Sequence, residues 1–267
     1  MQRHAAVAGQ FYPGTREQLQ TILAELVPHV SKKRRVLGIV APHAGYIYSG
    51  AIAGKVYGRI AIPSTVVIIG PNHHGAGAAA ALYPEGEWLT PLGSIAINPR
   101  LNALLQRHVP FVETDSSAHR FEHSLEVQVP FIQHARSDAT MAALCLGHGD
   151  FPAVQAIGKG IAAAVREYGG DVLIVASSDM THYESADSAR RKDELALARV
   201  LAFDPEGLLK ICHSEHITMC GVVPAAVMLV ASRELGATQG ELAAYGNSGD
   251  ITGDNNQVVG YAAVSVW

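Results

Sequence analysis

Three apolar runs along the chain each lead into a turn and then a histidine. The runs cover residues 36–41, 66–70 and 171–176, and they are followed by His43, by His73 and His74, and by His182. Continuous Val, Ile and Leu bounded by turn residues is typical of a strand buried on both faces, as in a parallel sheet. In open α/β sheets, ligands bind outside the carboxyl ends of the strands. The pattern therefore predicts a parallel sheet that carries imidazoles along one rim.

Between these runs, apolar residues recur at helical spacing. Residues 151–168 carry an apolar face at Val154, Ile157, Ile161 and Val165. Further helices are predicted at 15–27, 51–60, 98–107, 124–132, 188–201, 204–211 and 222–235, and further strands at 94–97, 111–113, 140–146, 241–245 and 258–266. No repeat or linker divides the chain. The sequence predicts one α/β domain over residues 1–267, with a mixed, largely parallel sheet flanked by helices.

Composition limits the classes of partner and the cell compartment that the sequence predicts. The 267 residues are 48% apolar, and 20 basic against 24 acidic residues give a net charge of −4. The sequence has no basic stripe with interleaved aromatics, so a nucleic-acid partner is not predicted. It also has no apolar run long enough for a membrane span. The basic cluster at 32–35 is predicted to be a solvated connection, with a phosphate or membrane contact as the lesser alternative. Three cysteines indicate a reducing compartment, and we expect a cytoplasmic protein.

Histidines on several strand ends are the pattern that a transition-metal site requires, because such a site needs neutral donors on a rigid frame. His43, one of His73 and His74, and His182 are placed to supply them. Cys220 could complete the set, since the helix predicted after it would lower the pKa of its thiol. Asp179, three residues before His182, is expected to accept a hydrogen bond from that imidazole and fix its tautomer.

Each of these residues also has a structural interpretation. A single histidine after a strand is more often a hydrogen-bonding core residue, and Cys220 alone is more often a small buried hydrophobe. His73 and His74 should point in different directions, so that one binds and the other supports. His123 and Glu126 belong either to a helix cap at Ser124 or to the cleft. Cys145 and Cys212 are predicted to be structural, and His119, His148 and His216 to be loop residues.

Six segments occur in the order seen in the Memo family, whose prokaryotic members are often called AmmeMemoRadiSam system protein B. They lie at residues 8–13, 41–46, 70–74, 122–126, 177–182 and 220–221. The sequence resembles this family over nearly its whole length. The resemblance implies a fold similar to the catalytic subunit of class III extradiol dioxygenases, in which two histidines and a carboxylate hold non-haem Fe(II) and another histidine is the acid/base.

Carried over by motif, the resemblance implies that His43 and His73 are metal ligands and that His182, with Asp179, moves protons. Cys220 stands where those dioxygenases have a glutamate. A thiolate is a softer ligand that favours Cu or Zn as well as Fe(II).

Three functions follow from the resemblance and the residues together. The first is a non-haem iron, dioxygenase-like oxidoreductase acting on an unidentified small molecule, with His74, His123, Tyr46 and Glu126 contacting the substrate or supporting the ligands. The second is an adaptor that binds metal or peptide without turnover, and the third is a metal-dependent hydrolase. The family name suggests a functional link to a radical-SAM protein, and a homo-oligomer is compatible with the sequence.

Overall fold

The computed structural model describes residues 1–267. Its strands are β1 (Gln2–Arg3), β2 (Gly38–Ala41), β3 (Thr65–Pro71), β4 (Ala80–Leu82), β5 (Glu87–Thr90), β6 (Gly93–Ile97), β7 (Glu113–Thr114), β8 (Thr140–Leu146), β9 (Val172–Ser177), β10 (His182–Glu184), β11 (Gly240–Asn247) and β12 (Val258–Val266). Its helices are α1 (Arg16–Leu26), α2 (Ala51–Arg59), α3 (Pro99–His108), α4 (Val129–Ala135), α5 (Phe151–Tyr168), α6 (Ala186–Leu201), α7 (Pro205–Ser214), α8 (Val222–Glu234) and α9 (Gly249–Thr252).

The centre of the sheet is four parallel strands in the order β8, β3, β9 and β2. On one side of this centre, β6 continues in parallel next to β8, and β5 and β1 follow it. On the other side, β12 pairs antiparallel with β2 and carries β11 and β10. The predicted α/β fold with a mixed, largely parallel sheet is confirmed, and no helix is both long and apolar enough to cross a bilayer.

The apolar runs are continuous because both faces of these strands are covered. Side chains of a strand alternate between faces, so Val67 and Ile69 enter one core while Val66 and Ile68 enter the other. The first core lies under α3, α5 and α8, and the second lies under α1, α2 and α4. This two-sided cover leaves the strand ends as the place where polar side chains meet.

Two segments near the predicted site differ from their predictions. Ser124 does not begin a helix; its hydroxyl donates to the carbonyl of Pro71, and a 3-10 turn at Glu126–Gln128 leads into α4. Pro130 therefore sits in the first turn of α4, where its missing N–H is tolerated. His182 is not at the end of the third apolar strand, because β9 stops at Ser177 and His182 begins the short β10.

Candidate metal centre

The parallel strands end side by side, and the loops that follow them supply the polar residues of the site. His43 follows β2, His73 follows β3, and Asp179 follows β9. The loop that carries His123 lies against β3 because Gly70 has no side chain; a Cβ there would meet Leu125 and Ser124. Topology thus brings together residues that are far apart in the sequence, such as His43 and Asp179, which are 136 positions apart.

His43 is buried, and its tautomer is fixed by its neighbours. Its Nδ1 lies 2.9 Å from Oγ of Ser177, and that hydroxyl donates its only proton to the carbonyl of Ser124 at 2.6 Å. Ser177 must therefore accept from His43, so Nδ1 carries the proton and Nε2 keeps its lone pair. Burial first, and then the imidazoles of His123, His73 and His182, hold the pKa of His43 well below its usual value. At neutral pH, His43 is therefore uncharged and can donate the lone pair of Nε2 to a metal ion.

Glu122 performs the same task for His73. Its Oε1 lies 2.9 Å from Nδ1 of His73, and its Oε2 accepts from the main-chain amide of His73 at 2.7 Å. Burial raises the pKa of Glu122, but the hydrogen bonds from His73 and from the amide of Ser124 outweigh burial and hold it well below its usual value. The ionised carboxylate therefore accepts a hydrogen bond from Nδ1–H and leaves Nε2 of His73 free to bind a cation.

His123 completes a cluster of three imidazoles. Its ring stacks on that of His73 with centroids 4.7 Å apart and stands edge-on to His43 at 5.4 Å. One potential ligand atom from each of these three histidines lies within 4.8 Å of the others. Burial lowers the pKa of His123 to about 4 against the opposing charge of Glu122. Three imidazoles so close together suit Zn, Cu, Fe or Ni.

Cys220 lies beside this cluster, with Sγ 3.3 Å from Nε2 of His43. Gly221 makes the approach possible, because a Cβ there would meet the carbonyl of Ser177 and the side chain of Ser178. The expectation that the following helix lowers the thiol pKa is wrong. Burial, and then the charge of Asp179, raise the pKa of Cys220. Without a cation, this residue is a protonated thiol.

The expected hydrogen bond between Asp179 and His182 is also absent. Oδ1 of Asp179 accepts from the main-chain amides of His43 at 2.7 Å and Ala44 at 3.3 Å, so the carboxylate holds the start of that loop. His182 is oriented by Thr218 instead. The amide of His182 donates to Oγ1 of Thr218 at 2.7 Å, and its Nδ1 lies 3.0 Å from the Thr218 carbonyl. Because a carbonyl only accepts, Nδ1 carries a proton.

The remaining predicted site residues, His74, Tyr46 and Glu126, are not part of the imidazole cluster. His74 is exposed on the outside of the loop, with Nε2 3.1 Å from the carbonyl of Phe121. Tyr46 is buried behind the cluster and donates to the carbonyl of Val127 at 2.9 Å. Glu126 is buried too and anchors the N-terminal segment through Arg3 and Tyr12. Of these residues and His123, only His123 joins the group of potential ligand atoms.

A family model described as "Memo-like protein" matches residues 3–265. The chain belongs to the Memo family. It is similar to a protein of Methanopyrus kandleri named as a MEMO1 family protein, with 40% identity over 99% of this chain and 98% of the relative. Relatives with the same family name occur in Methanosarcina barkeri, at 41% identity over 99% of both chains, and in Aquifex aeolicus, at 41% identity over 97% of both.

Four residues around this Memo site were not predicted as part of it: Glu122, Ser177, Thr218 and His148. The first three act on the histidines through hydrogen bonds that only the folded chain forms. His148 was interpreted as a loop residue, yet it lines a cleft of about 360 Å³ together with His73 and Cys220. A signal was present in the sequence, because His148 follows β8 as His73 follows β3.

Proposed function

We propose that this chain is a metal-dependent enzyme of the redox type, acting on a small molecule, with Fe(II) held by His43, His73 and Cys220. The observation that carries the proposal is the convergence of imidazoles whose Nδ1 atoms are engaged by Ser177 and Glu122. Bound there, iron supplies a redox-active centre with positions open to other ligands.

The residues around the ion have separate tasks in this proposal. His43 is neutral before binding, so it binds without losing a proton. His73 binds through Nε2, with Nδ1 held by Glu122. Cys220 binds as a thiolate, since a cation beside a thiol deprotonates it. His123 lies within reach as a further donor. His182, held by Thr218, accepts a proton at Nε2 and returns it from there.

The cleft beside His73 and Cys220 favours a small substrate over a peptide. Its volume of about 360 Å³ is near the lower end of small-molecule sites. No Asp, Glu, Lys or Arg lines it, and its apolar wall comes from Leu146, Met219, Val222 and Val223. Such a lining suits an uncharged or weakly polar molecule. A peptide-binding adaptor would need a longer groove with hydrogen bonds to an extended backbone.

A zinc hydrolase is the second candidate function, and one specific observation favours it. Three imidazoles that leave a further position open are the ligand set of several catalytic zinc sites, where bound water is the nucleophile. In this alternative the donors are His43, His73 and His123, and Cys220 is a neighbour of the site. The two candidates therefore differ in the third ligand, in the metal and in the need for O₂.

Metal analysis of protein purified without oxygen tests both candidates. The matched variants are Cys220→Ser and His123→Ala. The redox proposal predicts near-stoichiometric iron in the native chain, loss of most iron in Cys220→Ser, and O₂ uptake when a substrate from a small-molecule screen is added. Zinc that is retained in Cys220→Ser, is lost in His123→Ala and supports O₂-independent turnover would replace it with the hydrolase.

A further inference from the structure

Asp193 is a buried acidic residue that the proposed function does not use. It lies on the inner face of α6 and is fully shielded from solvent. No lysine, arginine or histidine forms an ion pair with it. A carboxylate in this setting is unfavourable relative to an apolar side chain of similar size. Its presence therefore requires contacts that an apolar residue could not make.

Both oxygens of Asp193 accept hydrogen bonds from other parts of the fold. Oδ1 accepts from the main-chain amide of Thr181 at 2.9 Å, and Oδ2 accepts from the hydroxyl of Tyr245 on β11 at 2.8 Å. The space for the carboxylate exists because residue 260 on β12 is glycine; a Cβ there would collide with Oδ2. The amide of Gly260 in turn donates to the carbonyl of Thr181 at 2.8 Å. Thr181 is thus fixed at both its amide and its carbonyl.

The residue after Thr181 is His182, the proton carrier of the proposed reaction. Thr218 holds His182 from one side, at its amide and at Nδ1. Asp193 holds the preceding peptide from the other side. The imidazole is therefore placed by Thr218, which touches the ring, and by the contacts of Asp193 and Gly260 to the main chain of Thr181, which do not. Removing Asp193 leaves Thr181 held only at its carbonyl by Gly260, so the main chain there can shift and carry the ring away from the carbonyl of Thr218.

We propose that Asp193 is a positioning residue for His182, acting through the amide of Thr181 and fixed in turn by Tyr245. The functional meaning of this placement rests on the proposed role of His182 in proton transfer. Burial raises the pKa of Asp193 while the hydrogen bonds from Thr181 and Tyr245 oppose that effect, in keeping with a carboxyl group retained for its contacts.

Nitrogen-15 NMR of the histidine side chains tests the inference on the full chain loaded with Zn²⁺. The ring signals of His182 are assigned with His182→Gln. At a pH where titration shows the ring to be neutral, the native chain should show a protonated Nδ1 and an unprotonated Nε2 for His182, because the Thr218 carbonyl accepts only from Nδ1–H. In Asp193→Ala the two signals should move toward each other or broaden. Asp193→Asn keeps an acceptor for Thr181 and should restore the native pattern, and Tyr245→Phe should give an intermediate one.

The control is Asn102→Ala, which removes another buried side chain with two hydrogen bonds, far from β10 in the fold. It should lower the melting temperature without moving the His182 signals. Native His182 signals in folded Asp193→Ala would overturn the inference, and so would equal changes in Asp193→Ala and Asn102→Ala. Zinc content is measured on the same samples. If the native chain binds no zinc, the proposed metal site is rejected. The ring signals of His182 in the native chain and in Asp193→Ala would still decide the role of Asp193.

Discussion

At the residue scale, the chemistry of the site depends on what each histidine finds at Nδ1. Ser177 accepts from His43, Glu122 accepts from His73, and the Thr218 carbonyl accepts from His182. Each partner holds a proton on Nδ1, which leaves Nε2 as the nitrogen that can bind a cation or exchange a proton. Nε2 of His43 and Nε2 of His73 are therefore the atoms available to a cation, without a rotation of either ring.

Glu122→Gln tests this arrangement. The amide removes the negative charge that faces Nδ1 of His73, so the imidazole becomes a weaker donor and its orientation is less fixed. We expect metal affinity to fall by about 10- to 100-fold, the usual effect of losing a partner of this kind. Competition titration with a chelator measures it. Glu113→Gln, an exposed change on β7, is the control. Equal affinity in both variants would contradict the role given to Glu122.

The same carboxylate predicts a pH dependence of stability in the metal-free chain. The folded-state pKa of Glu122 lies below its unfolded value because the hydrogen bonds from His73 and Ser124 outweigh burial. Its stabilising contribution is therefore complete above the unfolded pKa of about 4.3 and is lost as the pH falls below it. Urea unfolding from pH 7 to pH 3 should show the free-energy gap between the native chain and Glu122→Gln narrowing with acid. A gap that widens in acid would contradict a folded-state pKa of Glu122 below its unfolded value.

At the element scale, the distance between Cys220 and His43 depends on how closely α8 approaches the end of β9. Gly221 is the point of contact, because any side chain there would collide with Ser177 and Ser178. The approach also lets the amide of Gly221 donate to Oγ of Ser178 at 3.0 Å.

Gly221→Ala should push the start of α8 away and separate Cys220 from His43. We expect a loss of about 1–3 kcal/mol in the free energy of unfolding, as in other overpacked sites. Gly149→Ala, in the loop after β8, is the matched control, since a Cβ at Gly149 meets its neighbours only at ordinary contact distances of 3.8 and 3.9 Å. Chemical denaturation of both variants measures the two free energies of unfolding. Equal stability would show that the close approach at Gly221 is not required.

The N-terminal segment is tied to the loop that carries His123. Arg3 pairs with Glu126 at 2.6 Å and donates to the carbonyl of Glu122 at 2.7 Å, with both charged side chains buried. Arg3→Met leaves a buried carboxylate without its cation and should lower the free energy of unfolding by about 3–5 kcal/mol. Arg190→Met breaks the exposed pair with Glu194 and should cost no more than about 0.5 kcal/mol. Similar urea midpoints for the two variants would contradict this account.

At the scale of the whole molecule, the features that local sequence encodes were predictable. The bounds of α5 and β8 follow from apolar spacing and from flanking turn residues, and both match the prediction. The place of His43 and His73 at strand ends follows from the same pattern.

Features that depend on tertiary contacts were not predictable. The raised thiol pKa of Cys220 comes from burial and from Asp179, which is 41 residues away in the sequence. The support of His182 by Thr218 joins loops 36 residues apart. Local patterns place a residue on an element, whereas the sequence neighbours of that residue do not reveal its partners across the rim of the sheet.

The metal centre at the strand ends is tested by comparing two adjacent histidines. His73 faces the imidazole cluster and His74 is exposed outside it. Metal content is measured by elemental analysis on the native chain, His73→Ala and His74→Ala, all purified without oxygen. We expect near-stoichiometric metal in the native chain and in His74→Ala, with loss of most of it in His73→Ala. Equal metal in the two variants, or none in the native chain, would contradict a metal centre at these strand ends.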